Sequence, residues 1–269
     1  MANDSVSFSG SIPEYYDKYL GPLLFEEYSI DLANRLQLPK GGALLELAAG
    51  TGRATMHIRK LLSNDISMMI TDLKEVMLEI AKEKLADAEN IDFQGVDATD
   101  LPFHNSTYDA IVCQFGIMFF PDKQKSFDEM FRVLKAKGSL TFSVWDSFKY
   151  NPMIKLVNDS LLGIFPENPP KFLDIPFGYF DLNKIKDSLL QAGFTDINIA
   201  ILPKTIRTDN AKNAPIGFIR GNPLSLQIPK LGGDLDQIIN TISTQISQEY
   251  GDPPIEAPMQ AIVFQAHKK

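Results

Sequence analysis

The sequence predicts an α/β fold in which helices cover both faces of a mostly parallel sheet. Apolar runs of strand length alternate with amphipathic stretches of helix length between Ala43 and Trp145, and this alternation is typical of parallel sheets with crossover helices. The chain has 269 residues, of which 44% are hydrophobic and 22% are charged. That length is enough for one large domain with a sizeable core, or for a core domain that carries inserted segments.

The first core strand leads through a glycine-containing turn into a helix. Residues 43–47 form an apolar run typical of a buried parallel strand, and a helix is expected to begin at Arg53. Between them, Gly50 and Gly52 allow the backbone to approach a ligand closely. Asp72 follows the next strand, and its carboxylate can bind ribose hydroxyls. Strand, turn, helix, strand and acid in this order predict a nucleoside-binding unit.

Further apolar runs and helical periodicities continue the core. Strands are predicted at residues 66–71, 91–95, 108–114 and 138–145, and helices from Lys74 and over residues 124–134. The helix after Asp72 is expected to pack on the sheet through an apolar stripe made of Leu73, Val76, Met77, Ile80, Ala81 and Leu85. Ahead of the core, residues 12–36 predict two helices that are separated by a break at Gly21–Pro22.

The regular alternation stops after Trp145. A proline-rich segment predicts an insertion over the sheet, and a second insertion carries an amphipathic stripe of Leu235, Ile238, Ile239, Ile242 and Ile246. A helix at residues 182–192, a strand at 196–202 and a last apolar strand at 259–266 return to the core. We therefore expect an N-terminal helical segment (1–40) that closes over the ligand, a core (41–147), cap insertions (148–180 and 205–258), and segments that complete the sheet (181–204 and 259–269).

Composition excludes several classes of partner. The formal net charge of −8 and the lack of a Lys/Arg-rich run argue against nucleic acid. No apolar stretch is long enough to span a bilayer, and the N-terminus lacks a signal-peptide pattern, so we expect a cytoplasmic protein. The lone Cys113 excludes an internal disulfide, and no metal site is predicted. The expected partner is a small molecule, and the oligomeric state is left open.

Two pairs of residues after later strands are candidates for contacts with a nucleoside. Asp97 can accept from an adenine amino group while the N–H of Ala98 donates to a ring nitrogen. A turn-forming aspartate after a strand is the alternative. Gln114 and Phe115 end an apolar strand at the edge where α/β proteins bind ligands, and a simple strand end is the alternative.

Aromatic residues near the N-terminus are a third candidate group. Tyr16, with its neighbours Tyr15 and Tyr19, can present aromatic faces to a positive charge, although structural packing is an equal alternative. The histidines carry no recognisable catalytic pattern, and Cys113 lies in an apolar strand, where it is expected to be a packing residue. No catalytic base is identified.

These residues resemble the class I S-adenosylmethionine-dependent methyltransferases, in the small-molecule branch similar to the ubiquinone/menaquinone-biosynthesis methyltransferases. The resemblance covers residues 15–145, and its first motif is Glu46-Leu-Ala-Ala-Gly-Thr-Gly52. Ala48 stands where the family usually has glycine, which constrains the backbone at this point. The resemblance implies a Rossmann-like sandwich built on a seven-stranded sheet, with the last strand inserted antiparallel.

The resemblance also implies roles for the candidate residues. It places the ribose on Asp72 and the adenine between Leu73 and the Asp97-Ala98 pair. It places the methionyl end near three residues, Glu46, Gly50 and Gln114. The full set expected to bind S-adenosylmethionine is Tyr16, Glu46, Ala48, Gly50, Gly52, Arg53, Asp72, Leu73, Met77, Asp97, Ala98, Gln114 and Phe115.

The predicted function is transfer of a methyl group from S-adenosylmethionine to a small, partly apolar metabolite, with S-adenosylhomocysteine as the product. Because the sulfonium is an activated donor, positioning for in-line displacement supplies much of the acceleration. An NAD-dependent oxidoreductase is the nearest alternative, but its fingerprint needs a third glycine or alanine where Thr55 stands. A noncatalytic cofactor-binding or scaffold protein is the second alternative.

Overall fold

One seven-stranded sheet organises the chain in a computed structural model that describes residues 8–269. The strands are β1 (Ala43–Glu46), β2 (Ser67–Asp72), β3 (Ile91–Gly95), β4 (Tyr108–Gln114), β5 (Leu134–Trp145), β6 (Thr195–Thr208) and β7 (Ile255–His267). They lie in the order β3-β2-β1-β4-β5-β7-β6. Strands β1 to β5 pair in parallel, whereas β7 runs antiparallel to β5. The predicted mostly parallel sheet of seven strands with an antiparallel last strand is confirmed.

Helices fill most of the segments between the strands. They are α1 (Ile12–Tyr15), α2 (Glu26–Asn34), α3 (Arg53–Leu61), α4 (Glu75–Lys84), α5 (Lys123–Val133), α6 (Pro152–Ile164), α7 (Leu182–Ala192), α8 (Asn213–Arg220), α9 (Leu224–Lys230) and α10 (Leu235–Tyr250). A π-helix (Tyr16–Phe25) joins α1 to α2, and short 3₁₀ turns occur at Ile117–Phe119, Phe148–Tyr150 and Phe172–Asp174. The first seven residues of the predicted N-terminal segment lie outside the described residues.

The centre of the sheet is buried because its strands are apolar on both faces. On one face, Leu44 of β1 and Val112 of β4 pack with Ile58 of α3, and all three are fully buried. Parallel strands that are covered on both sides have this near-continuous apolar character. The carboxyl ends of the parallel strands consequently meet at one edge of the sheet, which is where open α/β sheets bind ligands.

The predicted break at Gly21–Pro22 is wrong, because the helix continues from α1 to α2 through the π-helix. The N–H of Glu26 donates to the carbonyl oxygen of Gly21, five residues earlier, as a π-helix requires. In an α-helix, the ring of Pro22 would clash with the carbonyl oxygen four residues earlier. We attribute the π-helix to this proline, since the wider turn separates the ring from that carbonyl and the helical course is kept.

The predicted apolar stripe of the helix after β2 is partly wrong. Leu73 and Val76 are 60% and 42% exposed, because α4 begins only at Glu75 and Leu73 lies in the turn before it. The buried face consists of Met77, Leu78, Ala81 and Leu85. The two turn residues after β2 thus rotate the helix relative to the predicted phase. As a result, Leu73 stands exposed at the carboxyl edge of the sheet.

Strand β5 begins earlier than predicted. Leu134 already pairs with Tyr108 of β4, and residues 135–138 bulge opposite Asp109 before regular pairing resumes. The Nζ atom of Lys135 lies 2.7 Å from Oδ2 of Asp109, so an ion pair ties the bulge to β4. The chain therefore passes from α5 into the sheet through a bulge, whereas the sequence predicted a helix to residue 134 and a strand only from residue 138.

The described residues divide into two compact units. The insertion unit contains the described residues up to Glu26, together with Asp146–Gly178 and Pro203–Gln260. The sheet unit contains Glu27–Trp145, Tyr179–Leu202 and Ala261–Lys269. In the insertion unit, the predicted stripe of α10 is buried at Ile238, Ile239, Ile242 and Ile246. The role of the insertions as a cap stays a prediction.

Candidate functional site

The turn after β1 requires glycine at two positions. Gly50 and Gly52 have φ values of +57° and +77°, in the left-handed region that glycine adopts readily. A Cβ atom on Gly52 would lie 2.8 Å from the Cβ of Ala81 on α4, so a side chain is also excluded there by close packing. The turn therefore packs directly on α4, and α3 begins at Arg53 with its first N–H groups at the edge of the sheet.

Ala48, which departs from the family's usual glycine, also has left-handed backbone. Its φ is +53°, a conformation that costs free energy for any residue with a side chain. Across the edge of the sheet, a Cβ on Gly116 would lie 2.4 Å from the Cβ of Ala48. The methyl group of Ala48 therefore fills the space beside the end of β4 and restricts residue 116 to glycine.

Glu46 is a buried carboxylate at the last position of β1. Its side chain is 1% exposed, and its Oε2 accepts a 2.7 Å hydrogen bond from Oγ1 of Thr55 on α3. Burial, with a smaller contribution from nearby Asp72, raises the pKa of Glu46 from 4.5 to about 8, although the Thr55 bond opposes the rise. A positively charged ligand group at this edge would stabilise the ionised form of Glu46.

Asp72 fixes the glycine turn from the end of β2. Its Oδ2 accepts from the N–H of Gly50 at 2.9 Å, and its Oδ1 accepts from the N–H of Lys74 at 2.8 Å. Burial raises the pKa of Asp72, and these two backbone bonds oppose the rise. Each carboxylate oxygen has a second lone pair, so Asp72 can still accept from ligand hydroxyls such as those of a ribose.

Leu73 and the Asp97-Ala98 pair lie at the ends of β2 and β3. The N–H of Val96 donates to the carbonyl oxygen of Asp72 at 3.0 Å and joins the two loops. Oδ1 of Asp97 accepts from both the N–H and the Oγ1 of Thr99, each at 2.8 Å. This is the turn-forming role that the sequence left as the alternative. The adenine contact of Asp97 and Ala98 stays a prediction.

Gln114 and Phe115 lie at the carboxyl end of β4. Oε1 of Gln114 accepts a 2.8 Å hydrogen bond from Oγ of Ser29 on α2, whereas its buried Nε2 has no hydrogen-bond partner among the described residues. Phe115 has a φ of +53°, and its ring stacks on Trp145 with the centroids 4.0 Å apart. Tyr28 meets both rings edge to face. The end of β4 thus combines an oriented amide with a cluster of three aromatic rings.

The remaining predicted contacts are Arg53, Met77 and Tyr16. Arg53 is the first residue of α3. Met77 is buried, and its Cε lies 3.6 Å from the position that a Cβ on Gly50 would take. Tyr16 belongs to the insertion unit, where its ring stacks on Phe25 at a centroid distance of 5.1 Å. Contact of Tyr16 with a cofactor therefore stays a prediction.

Thr55 and Ser29 orient candidate site residues, and the sequence did not single them out for this. In the sequence, Thr55 is informative only as the replacement of a third glycine. Thr55 follows Glu46 by nine residues across a strand–turn–helix unit. This spacing is the only feature of the sequence that could have predicted the hydrogen bond between them. Ser29 offers no such signal, because its partner Gln114 lies 85 residues away along the chain.

Metal-binding clusters and membrane-spanning helices are both absent from the described residues. Within residues 8–269, no group of three or more His, Cys, Asp and Glu side chains is arranged to hold a metal ion. Over the same range, every helix is too short or too polar to cross a membrane. Cys113 is fully buried in β4, and burial raises the pKa of its thiol to about 12. This confirms the predicted packing role of Cys113.

Comparisons of sequence relate the chain to methyltransferases. Residues 24–157 match the model of the ubiE/COQ5 methyltransferase family. The ubiquinone/menaquinone biosynthesis C-methyltransferase UbiE of Pasteurella multocida is 27% identical over 188 residues, which cover 65% of this chain and 69% of that protein. The demethylmenaquinone methyltransferase of Staphylococcus epidermidis is 26% identical over 201 residues, which cover 70% and 83% of the two chains.

A comparison of structures relates the fold to that of a solved protein. The YcgJ protein of Bacillus subtilis superposes with a TM-score of 0.61 at 18% identity, over 90% of this chain and 99% of that one. At this identity the likeness is one of fold, and it confirms the predicted Rossmann-like architecture. The matched residues 24–157 include every sequence-predicted site residue except Tyr16. The resemblance stated from the sequence is confirmed, and the oxidoreductase and scaffold alternatives are not favoured.

Proposed function

We propose that this chain, a class I S-adenosylmethionine-dependent methyltransferase similar to the ubiquinone and menaquinone methyltransferases, methylates a ring carbon of a small hydroquinone-type acceptor. The observation that carries the activity is the family match, which spans the whole polar edge of the sheet from Glu46 to Gln114. The acceptor class is supported by the names of the two relatives, a C-methyltransferase of ubiquinone/menaquinone biosynthesis and a demethylmenaquinone methyltransferase.

Four polar side chains would hold the cofactor in the order of the strands. They are Asp97 after β3, Asp72 on β2, Glu46 on β1 and Gln114 on β4. An extended ligand along this edge meets them as adenine, ribose and methionyl group. The residues fit such a ligand, because the left-handed Gly50 and Gly52 expose backbone to it and the buried Nε2 of Gln114 lacks a partner among the described residues. The exposed side chain of Leu73 offers an apolar surface to the adenine.

When bound, S-adenosylmethionine supplies a methyl group attached to a positively charged sulfur. The acceptor carbon would gain this methyl group and lose a proton, and S-adenosylhomocysteine would be released. The chain's own contribution is to hold the two ligands in line and to keep the site apolar around the reacting carbon. The buried rings of Tyr28, Phe115 and Trp145 supply aromatic surface at the ends of β4 and β5. No side chain is assigned as a catalytic base.

The test is a methyl-transfer assay with the purified chain, S-adenosylmethionine labelled with ¹³C in the methyl group, and 1,4-naphthohydroquinone kept reduced without oxygen. We expect a ring-carbon ¹³C-methyl signal, two free hydroxyl groups in the product, and one S-adenosylhomocysteine per methyl group transferred. A methyl signal on oxygen would contradict ring-carbon transfer. If the chain binds S-adenosylmethionine but transfers no methyl group to any hydroquinone in a panel of ring sizes, the acceptor class is wrong.

A further inference from the structure

Ser143 on β5 carries a buried hydroxyl group that the structure leaves without a hydrogen-bond partner among the described residues. The residue is 2% exposed, and its Oγ makes no hydrogen bond. An unsatisfied buried hydroxyl is unfavourable and uncommon in native proteins. Where one persists at the edge of a sheet that binds ligands, a ligand group is a natural partner.

A second unpartnered atom lies beside this hydroxyl on the neighbouring strand. Gln114 of β4 is in register with Ser143 of β5, so the two side chains project from the same face of the sheet. The Nε2 of Gln114 is buried without a partner among the described residues. Because Oε1 of Gln114 accepts from Ser29, the orientation of the amide is set and its N–H groups remain available as donors.

The strand order places this pair past the methionyl end of the cofactor. In the proposed function, the cofactor extends along β3, β2 and β1 and reaches β4, and β5 is the next strand in the sheet. A group bound at Ser143 therefore lies on the side toward which the methyl group is transferred. The inference rests on the proposed function at this step.

The surroundings of the pair indicate what kind of group binds. Trp145 follows Ser143 by two residues on the same strand and is stacked with Phe115, the residue after Gln114. Flat aromatic surface next to an amide and a hydroxyl donor suits an oxygen atom attached to an aromatic ring. The amide nitrogen of Gln114 carries two N–H groups, so one can donate to the methionyl end of the cofactor and the other to a second ligand. We infer that this second N–H of Gln114 and Oγ of Ser143 together bind a ring oxygen of the methyl acceptor.

Such a contact would contribute to the reaction as well as to binding. Ionisation of a ring hydroxyl raises the electron density of the adjacent ring carbon, which is the carbon that accepts the methyl group. Two donors in a water-poor site stabilise the ionised oxygen. Removing one donor should therefore weaken acceptor binding and move the pH profile of methyl transfer toward higher pH.

The experiment compares Ser143→Ala with Ser139→Ala, which lies four residues earlier on β5, away from the carboxyl edge. Titration calorimetry measures binding of 1,4-naphthohydroquinone to the full chain saturated with S-adenosylhomocysteine, in the absence of oxygen. We expect Ser143→Ala to weaken hydroquinone binding about 5- to 10-fold and to leave S-adenosylhomocysteine binding unchanged. Its melting temperature should not fall, because the hydroxyl that is removed has no partner to lose. Ser139→Ala should bind hydroquinone as the wild type does.

Each other outcome overturns the inference in a distinguishable way. If the wild type with S-adenosylhomocysteine does not bind the hydroquinone, the proposed acceptor class and the inference both fail. If the wild type binds it and Ser143→Ala binds it equally well with an unchanged pH profile of methyl transfer, only the inference fails. If Ser143→Ala melts at a lower temperature and loses affinity for both ligands equally, Ser143 has a structural role, which also overturns the inference.

Discussion

Ala48 and Phe115 are non-glycine residues with left-handed backbone at the carboxyl ends of neighbouring strands. Both have a φ of +53°, and a residue with a side chain in this region costs about 1–2 kcal/mol. Such strain is commonly found at ligand sites, where the surrounding structure enforces it. In this chain, the two strained residues lie on either side of the position predicted for the methionyl group, which is between Glu46 and Gln114.

Ala48→Gly should make the protein more stable. Glycine adopts the required φ without strain, and this gain exceeds its larger loss of backbone entropy on folding, so we expect an increase of about 0.5–1 kcal/mol in the free energy of unfolding. Urea denaturation without cofactor measures it. Ala49, the next residue, does not have positive φ, so Ala49→Gly should lose about 0.5–1 kcal/mol. If both variants lose the same free energy of unfolding, the backbone of Ala48 is not strained.

Glu46 should make the stability of the protein depend on pH. Its pKa rises from 4.5 to about 8 on folding, so between these values the folded chain holds a proton that the unfolded chain releases. The wild type should therefore lose stability relative to Glu46→Gln as pH increases over this window, by up to about 1.4 kcal/mol per pH unit. Below the window the carboxyl group is neutral in both states, so the stability difference between the two proteins no longer changes with pH.

Urea denaturation of the wild type and Glu46→Gln at about pH 5 and about pH 7.5 checks this dependence. Glutamine keeps the shape of the side chain, and its amide oxygen can still accept from Thr55. Binding of the positively charged cofactor should lower the pKa of Glu46, so titrations in buffers of different ionisation enthalpy should detect proton release near neutral pH. Parallel stability curves for the two proteins would show that Glu46 is ionised in the folded chain.

At the scale of elements, the sequence predicted segments whose ends are set by local residues. The helix predicted at residues 182–192 has the observed bounds of α7. Asp181 accepts from the N–H groups of Asn183 and Lys184 at its start, and Gly193 ends it with a φ of +103°. The bounds of β3 and β4 were also predicted correctly. The predictions were wrong where residues close in the sequence do not determine how an element begins. The turn that rotates α4 and the bulge that begins β5 are two examples.

The π-helix is a further case in which residues close in the sequence do not predict the observed structure. Gly21–Pro22 predicts a break from local propensity, whereas the observed helix packs closely on α8. A Cβ on Gly217 would lie 2.7 Å from Cδ2 of Leu20, and one on Gly221 would lie 3.0 Å from the backbone nitrogen of Tyr16. Gly217 lies in α8 and Gly221 directly follows its last residue, so the two glycines are four residues apart and lie on the same side of the helix. A distant helix therefore supports a segment that the local sequence marks as a break.

Gly221→Ala should destabilise the insertion unit by about 1–3 kcal/mol, because the added methyl group meets backbone atoms that cannot move independently. Gly217→Ala should cost less, since its nearest neighbour is the end of the flexible Leu20 side chain. The matched control is Gly163→Ala in α6, where no atom lies within 4 Å of the added Cβ and the helix should gain stability. Thermal unfolding measures all three. If Gly221→Ala is as stable as Gly163→Ala, the close contact with the π-helix is wrong.

At the scale of the whole molecule, the sequence predicts a candidate site at one edge of the sheet because of how a parallel sheet is built. Residues that follow separate strands, such as Asp72 and Gln114, come to one edge when the strands are parallel. What the sequence did not locate are the contacts between those residues and the helices beside them, such as Ser29 with Gln114. Their positions depend on how each helix is rotated against the sheet, and no local pattern specifies that rotation.

S-adenosylhomocysteine should protect four loops of the sheet unit from amide hydrogen exchange, because their residues would hold the ligand. The loops are residues 48–53, 72–74, 97–99 and 114–116. At a ligand concentration of about 100 times Kd, the stabilisation is about 2.7 kcal/mol, so amides in the sheet unit that exchange only through global unfolding should slow about 100-fold. Exchange measured by mass spectrometry with and without ligand checks this.

Adenosine provides the matched control, because it has the base and ribose of the ligand but no methionyl group. It should protect residues 72–74 and 97–99 and leave residues 114–116 unchanged, since the predicted order along the edge assigns the nucleoside to β2 and β3 and the methionyl group to β1 and β4. Protection of 114–116 by adenosine would reverse that order. The Gln114–Ser143 pair would then lie beside the nucleoside, and the acceptor would have to approach from the β3 side of the sheet instead of from β5.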